Sequence, residues 1–185
     1  MVCVGLLFAS LIFCYGCQEA PVAVTGGDLY MPLKVGNTWK YSQNDGSIRI
    51  LTVTGAMTVA GNTCYIIRNS TASSTSEALG YNDANGNWSY GTPTSPLTTP
   101  QLSIPYPLSV GKTWTASGST FECRASEDIT LSNGTTYTSC WKFRNFWPSG
   151  TYNDDWIKEN VGLVKRITVG SSTTSTYELV EVVLP

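Results

Sequence analysis

The sequence predicts an all-β protein of antiparallel strands, folded as two repeated β-meanders. Three observations carry this. From residue 30 onward the chain is a succession of short runs rich in Thr, Val, Ile, Tyr and Trp, each ended by Gly, Asn, Asp or Ser, the pattern of strands joined by tight turns. No stretch keeps the apolar period of an amphipathic helix. Short segments also return in the same order about 75 residues later, the mark of a duplicated unit. With 185 residues the chain has material for one ordinary core, so residues 30–185 are read as a single β domain.

Before that body, the run Val4 to Cys14 is apolar, of signal-peptide length and too short to span a bilayer as a helix. It ends at Cys14-Tyr15-Gly16-Cys17 ahead of a polar stretch, so residues 1–16 are expected to be an export signal. Gly16 before Cys17 resembles the end of a bacterial lipobox, which implies acylation of Cys17 and a membrane as partner through that anchor. The match departs from the usual motif at Cys14, where Leu is common, and at the bulky Tyr15. More than one acyl chain anchors stably where a single chain does not. Gln18 in the second mature position resembles lipoproteins released to the outer membrane, so the expected address is the outer-membrane face of a bacterial cell envelope. Residues 17–29, with Pro21, Gly26 and Gly27, read as a tether.

The first meander is expected over about 30–91, with turns at Asp45-Gly46, Gly61-Asn62 and Asn85-Gly86. The segment from Thr92 to Pro100 reads as a linker, because repeated Pro has no place in a central strand. The second meander covers about 104–169, turning at Asn133-Gly134, and a last strand runs from Tyr177 to Leu184. The repeat has three parts. Pro32-Leu33-Lys34-Val35-Gly36-Asn37-Thr38-Trp39 returns as Pro107-Leu108-Ser109-Val110-Gly111-Lys112-Thr113-Trp114. Cys64-Tyr65-Ile66-Ile67-Arg68-Asn69 returns as Cys140-Trp141-Lys142-Phe143-Arg144-Asn145, and Tyr81-Asn82-Asp83 as Tyr152-Asn153-Asp154. Strand alternation puts Tyr65, Ile67, Trp141 and Phe143 on a core face, with Cys64, Arg68, Cys140 and Arg144 opposite.

Three segments, Pro32 to Tyr41, Asp128 to Phe143 and Val161-Gly162-Leu163-Val164-Lys165-Arg166, resemble a group of uncharacterised bacterial exported lipoproteins. The resemblance spans most of the mature chain and implies a twisted antiparallel sheet curved into a half-barrel. It implies no activity.

Composition narrows the function. A net charge of −2 and a pI near 5.0 leave no electrostatic footprint for nucleic acid. The absence of histidine removes Ser-His-Asp and Cys-His arrangements and imidazole metal ligands. No catalytic residue, metal ligand or cofactor is assigned, and the protein is read as non-enzymatic.

Cys64, Cys123 and Cys140 allow three disulfide pairings with one thiol left over. Cys123 with Cys140 leads, as exported thiols meet an oxidising compartment. A two-residue turn at Asn133-Gly134 sets Cys140 opposite Glu127 and Cys123 opposite Arg144. The two Cys are then about 13 Å out of register, so the bond needs a bulge or a longer loop. The competing reading is a Cys140 thiol activated by Lys142 and Arg144 on its own face.

Asp83, Asn85 and Asn87 alternate as calcium-loop ligands do, but Gly86 comes early and no Glu follows, so a side-chain-stabilised turn is favoured. Asp154-Asp155 and Glu127-Asp128 are adjacent carboxylates that face apart on a strand, and read as turn or edge charge. Ser139 and Lys142, three apart, also face opposite ways. Trp39 and Trp114 belong to the core by their repeat position. Trp88, Trp147 and Trp156 sit in polar or turn-like settings and are the candidates for a surface that binds carbohydrate or an apolar ligand.

Two non-catalytic functions follow: a surface-anchored binding or envelope-structural module, or a carrier holding a lipid or other apolar molecule against a concave sheet. A carboxylate- or thiol-dependent enzyme ranks behind both. An apolar concave surface left unfilled by the protein's own side chains separates the carrier from the module.

Overall fold

The computed structural model describes residues 30–185. The export signal, Cys17 and the tether lie outside the described residues. Among the described residues no helix occurs. The first half supplies β1 (Thr38–Gln43), β2 (Ile48–Val59), β3 (Asn62–Ser70), β4 (Thr75–Asp83), β5 (Gly86–Thr92) and β6 (Ser95–Pro105). The second supplies β7 (Thr113–Ala116), β8 (Ser119–Thr130), β9 (Thr136–Phe146), β10 (Tyr152–Lys158), β11 (Gly162–Val169) and β12 (Thr174–Val183).

All twelve form one antiparallel sheet in the order β6-β5-β4-β3-β2-β1-β12-β11-β10-β9-β8-β7. Each half is an uninterrupted meander, and the halves join where β1 pairs with β12. The sheet curves until its edges, β6 and β7, approach each other. The twisted antiparallel sheet is therefore present, bent past a half-barrel to a nearly closed barrel.

The halves are drawn differently from the sequence reading. The Pro-rich stretch at 92–100 is no linker: most of it is β6, the sixth strand of the first meander, and Tyr177 to Leu184 is largely β12, its counterpart in the second. The rule about proline still holds, since β6 is an edge strand and pairs only with β5. The first two repeats superimpose. Gly36 and Val53 exchange backbone bonds with Val53 and Asn37 as Gly111 and Cys123 do with Cys123 and Lys112. Arg68 faces Glu77 across β3 and β4, as Arg144 faces Asp154 across β9 and β10. That register makes Glu77, not Asp83, the counterpart of Asp154. The third repeat is a sequence coincidence, with 81–83 ending β4 and 152–154 opening β10.

Tyr65, Ile67, Trp141 and Phe143 face the barrel interior as expected, yet Cys64 and Cys140 on the opposite face are fully buried too. The long hairpins explain it. The β2–β3 tip folds over the convex side of β4 until the Asn62 amide donates to the Tyr90 hydroxyl on β5, 2.8 Å away. Beneath it Val59, Cys64, Leu79 and Tyr90 form an outer core. The β8–β9 hairpin does the same and reaches farther: its Ser132 amide donates to Glu178 on β12 at 2.8 Å, crossing β10 and β11. Bulges between Cys123 and Ala125 and between Glu127 and Ile129 bend it. Equivalent residues lie 70 positions apart on β2 and β8 (Leu51 and Phe121) and 76 apart on β3 and β9 (Ile67 and Phe143). The second hairpin thus carries six extra residues, which carry its tip past one more strand.

Inside the barrel, Trp39, Tyr41, Val53 and Leu179 pack with Leu33, which reaches in from the segment before β1. Gly80 allows that approach: a Cβ there would sit 2.8 Å from Ile67 Cδ1 and 3.3 Å from Leu33 Cδ1. Near the β6 edge, Tyr30, Ile104, Tyr106, Leu108, Cys123, Phe143 and Ile157 make a second interior cluster.

Candidate functional site

The interior is not filled. A partly open cavity of about 310 Å³ remains between the β1–β2 wall, the β9–β11 wall and the β6/β7 edges. Its apolar lining comes from Met31, Leu51, Ile104, Phe121, Phe143 and Ile157. Its polar lining comes from Tyr41, Arg49, Asn145, Asp155, Arg166 and Tyr177.

These groups are ordered along the barrel because antiparallel register stacks them in rows. Trp141, Ile157 and Leu163 lie opposite one another across β9, β10 and β11, an apolar row. The next inward row is Phe143, Asp155, Arg166 and Tyr177. The one after it begins with Asn145 and Asn153. The cavity therefore grades from hydrocarbon through charge to amide.

In the charged row Arg166 grips Asp155 through two parallel bonds, Nε to Oδ1 at 2.6 Å and Nη2 to Oδ2 at 2.7 Å. Burial alone would lower the Arg166 pKa, but the Asp155 charge outweighs it and holds the guanidinium protonated. Arg49 differs. Its Nε donates to Asn69 Oδ1 at 2.7 Å and its guanidinium lies over the Tyr177 ring, 5.6 Å from the centroid. Among the described residues no carboxylate pairs with it. Burial first, and then the Arg166 charge, pull its pKa below the ordinary arginine value. The cavity thus holds one more cation than anion. Asn145 and Asn153 are 8% and 4% exposed, and the Oδ1 of each lacks a hydrogen-bond partner.

The cavity also lies along the unpaired edges. Ser103 and Ile104 of β6, Ala116 of β7 and the adjoining Ser117 line it. Across this seam the Trp114 indole donates to the Ser103 carbonyl at 3.0 Å, and the Ser117 hydroxyl meets Gln101 Oε1.

The sequence-predicted residues lie elsewhere. Trp156 is buried under the β8–β9 hairpin, its indole donating to Glu127 at 2.7 Å and Lys142 lying over its ring. Trp88 packs on the outer core and donates to Asp83. Trp147 belongs to the turn closed by its own backbone bonds with Gly150 and Thr151. None of the three lines the cavity.

The Cys123–Cys140 disulfide is not formed: Cys64, Cys123 and Cys140 are all free, buried thiols. Cys140 pairs with Glu127 as the turn predicted, while the bulge moves Cys123 opposite Phe143. Cys123 consequently faces the interior and Cys140 the outer layer, on opposite sides of the sheet. Nor is Cys140 activated. Burial pushes its thiol up to about 11, against a smaller lowering by Lys158.

Asp154 and Asp155 do face apart, but they are buried ion pairs rather than turn charge. Asp154 receives both Nε and Nη2 of Arg144 at 2.6 Å on the convex side. Asp83 serves its turn: Oδ1 accepts from the amides of Asn85 and Gly86 and from the Trp88 indole. Burial opposes the charge there, and these bonds together still lower the pKa. The sequence reading missed Arg49, Asp155 and Arg166 as a group. The available signal was the charge pair Asp155 and Arg166 inside otherwise strand-like runs, where an inward charge demands a partner.

No family model matches the sequence, and no curated protein matches it. In fold it is similar to a solved Bacteroides fragilis protein described as exported and of YmcC-like fold. That match has a TM-score of 0.55 and 12% identity, over 85% of this chain and 100% of the other. A Parabacteroides distasonis protein described as a lipoprotein aligns at TM-score 0.46 and 14% identity, over 85% of this chain and 99% of its own. What the first likeness establishes is the fold: a YmcC-like, nearly closed antiparallel barrel.

Proposed function

We propose that the protein is an envelope carrier: a lipid-anchored, exported barrel that shelters one small amphipathic molecule in its interior. The observation that carries this is the unfilled cavity, apolar at one end and grading through a row with excess positive charge to the Asn145 amide at the other. At about 310 Å³ it falls at the small end of ligand sites, roughly 300–1,000 Å³. It suits a single short chain and excludes a two-chain lipid. The reading is non-catalytic. The cavity's one carboxylate is engaged through both oxygens by Arg166, and Cys140, the thiol considered for activation, is pushed to the unreactive side.

The address rests on the signal-like residues 1–16, on Cys17 as the acylated residue and on Gln18 as the outer-membrane mark. The fold it shares with a protein described as exported supports it. Intact-mass measurement of membrane-extracted protein is expected to give a chain beginning at Cys17 with its acyl chains attached. An unmodified, soluble chain overturns the anchor. For the carrier, an apolar fluorescent dye is expected to bind with one-to-one stoichiometry and to be excluded by Leu51→Trp, which fills the cavity. Unchanged dye binding in that variant overturns it.

A further inference from the structure

We infer that the cavity selects a single-chain monoanion, the chemistry of a medium-chain carboxylate, with its head on Arg49 and its hydrocarbon running past Leu51 toward Met31. This rests on the carrier reading and names its substrate class.

Charge identifies the head. The cavity lining holds two guanidiniums, Arg49 and Arg166, and one carboxylate, Asp155. Asp155 is committed to Arg166, because both of its oxygens accept from that side chain. Arg49 keeps only uncharged neighbours, the Asn69 amide oxygen and the Tyr177 ring, and the Arg166 charge adds repulsion. A guanidinium drawn partly out of water on these terms has lost hydration without gaining a counter-charge. A carboxylate entering the cavity supplies that charge and gains a charge-assisted hydrogen bond. One negative charge balances the excess, and two would overshoot it.

Strand register gives the direction of the tail. Arg49 stands opposite Tyr41 on β1 and Leu51 opposite Trp39, so Leu51 is the next inward residue of β2 after Arg49. Across the cavity the same step leads from Asp155 and Arg166 to Ile157 and Leu163. Both walls therefore pass from charge to hydrocarbon in the same direction along the barrel. Met31 stands at that apolar end, its Sδ 3.8 Å from the place of a Cβ on Gly162, where β11 begins. A chain held by its carboxylate on Arg49 thus lies against Leu51, Ile157 and Leu163 without crossing the charged row. The Asn145 amide is on the opposite side of that row, away from the tail.

Size limits the tail. At about 30 Å³ per water-sized group, the cavity of about 310 Å³ accommodates roughly ten such groups. The molecule is therefore a chain of medium length.

The test is dye displacement on the full membrane-extracted chain with three ten-carbon compounds that differ in the charge of the head: decanoate, decanamide and decylammonium. Decanoate should bind about tenfold tighter than decanamide, the scale of one charge-assisted hydrogen bond, and decylammonium weakest. Arg49→Met should bring decanoate down to the level of decanamide and leave decanamide unchanged, while Arg49→Lys retains the preference. Leu51→Ala should weaken decanoate and decanamide alike and keep their ratio. Equal binding of the three compounds by the unaltered protein overturns the head-group inference and leaves the carrier reading standing. Failure of all three to displace the dye overturns both. A preference for decanoate that survives Arg49→Met removes Arg49 from the site, and a ratio altered by Leu51→Ala overturns the direction assigned to the tail.

Discussion

The two halves of this barrel meet at two seams, and the same repeated tryptophan stands beside each. At the β1/β12 seam a full antiparallel ladder runs from Thr38 to Gln43. Side chains of β1 reach past it: the Trp39 indole donates to Val161 O, and the Tyr41 hydroxyl to Leu163 O at 3.0 Å. At the β6/β7 seam there is no ladder. Pro96, Pro100 and Pro105 remove donors from β6, β7 is four residues long, and Trp114 and Ser117 supply side-chain ties instead. Duplication delivered two equivalent edges, and proline on one of them decided which would close. The seam that stayed open is the one the cavity adjoins.

Trp39→Ala should test this contrast most severely. Trp39 is fully buried, and its truncation removes both core volume and the tie to β11. Loss of about 3–5 kcal/mol is expected, read as a fall in the urea midpoint. Trp114→Ala, at the equivalent but half-buried position, should cost clearly less. Equal losses would show that the two seams are energetically alike. Gly162→Ala attacks the same seam from the other side. Gly162 has φ of +105°, and a Cβ would lie 3.1 Å from Trp39 Nε1. A cost of about 1–3 kcal/mol is expected from backbone strain, with quenching of Trp39 fluorescence altered by the displaced ring. A neutral substitution would mean that the ring is not held against this turn.

These contacts explain what the sequence could and could not reveal. The Pro-Leu-x-Val-Gly-x-Thr-Trp and Val-Gly-Leu-Val-Lys-Arg segments stood out as repeated or family-like motifs, and they turn out to touch: one supplies Trp39, the other Val161 and Gly162. Their shared role is closure, which is why no chemistry could be read from them. The strand alternation was legible because it is local. The outer core was not, since burial of Cys64 and Cys140 depends on hairpins bending back over the sheet. The sixth strand was hidden by its prolines, although an edge strand is where they are tolerated. Asn145 and Asp155 share neighbouring strands, but Arg49 lines the same cavity only through the curvature of the whole sheet, which no pair of neighbouring segments encodes.

Trp114→Phe sharpens the contrast at the open seam with a smaller expected effect. It keeps the ring stacked on Phe121, 5.2 Å between centroids, and deletes only the bond to Ser103. Stability should fall by about 1 kcal/mol, while ligand exchange in stopped-flow dye displacement should accelerate. Linking the seam covalently, with cysteines at Ser117 and Gln101, should slow exchange and restore it on reduction. Exchange indifferent to both changes would move the entrance away from this seam.

The smallest effect concerns how the closed seam is fastened from outside. Glu178 sits on β12 opposite Ser42 of β1, accepts from the Ser132 amide at the hairpin tip and pairs with Lys165 at 2.8 Å. Burial works to raise its pKa, but Lys165 and Ser132 together lower it below the ordinary 4.5. A carboxyl depressed in the folded state stabilises it fully above the unfolded value. That contribution fades as pH falls from about 4.5 through the lower folded value. Glu178→Gln should therefore lower the melting temperature slightly at pH 7, and the gap from the unaltered protein should close as the pH is taken toward 3. A gap constant across that range would mean that the hairpin is held by Leu131 and its apolar neighbours alone. The open seam has no strap of this kind, so Trp114→Phe should show no matching acid dependence.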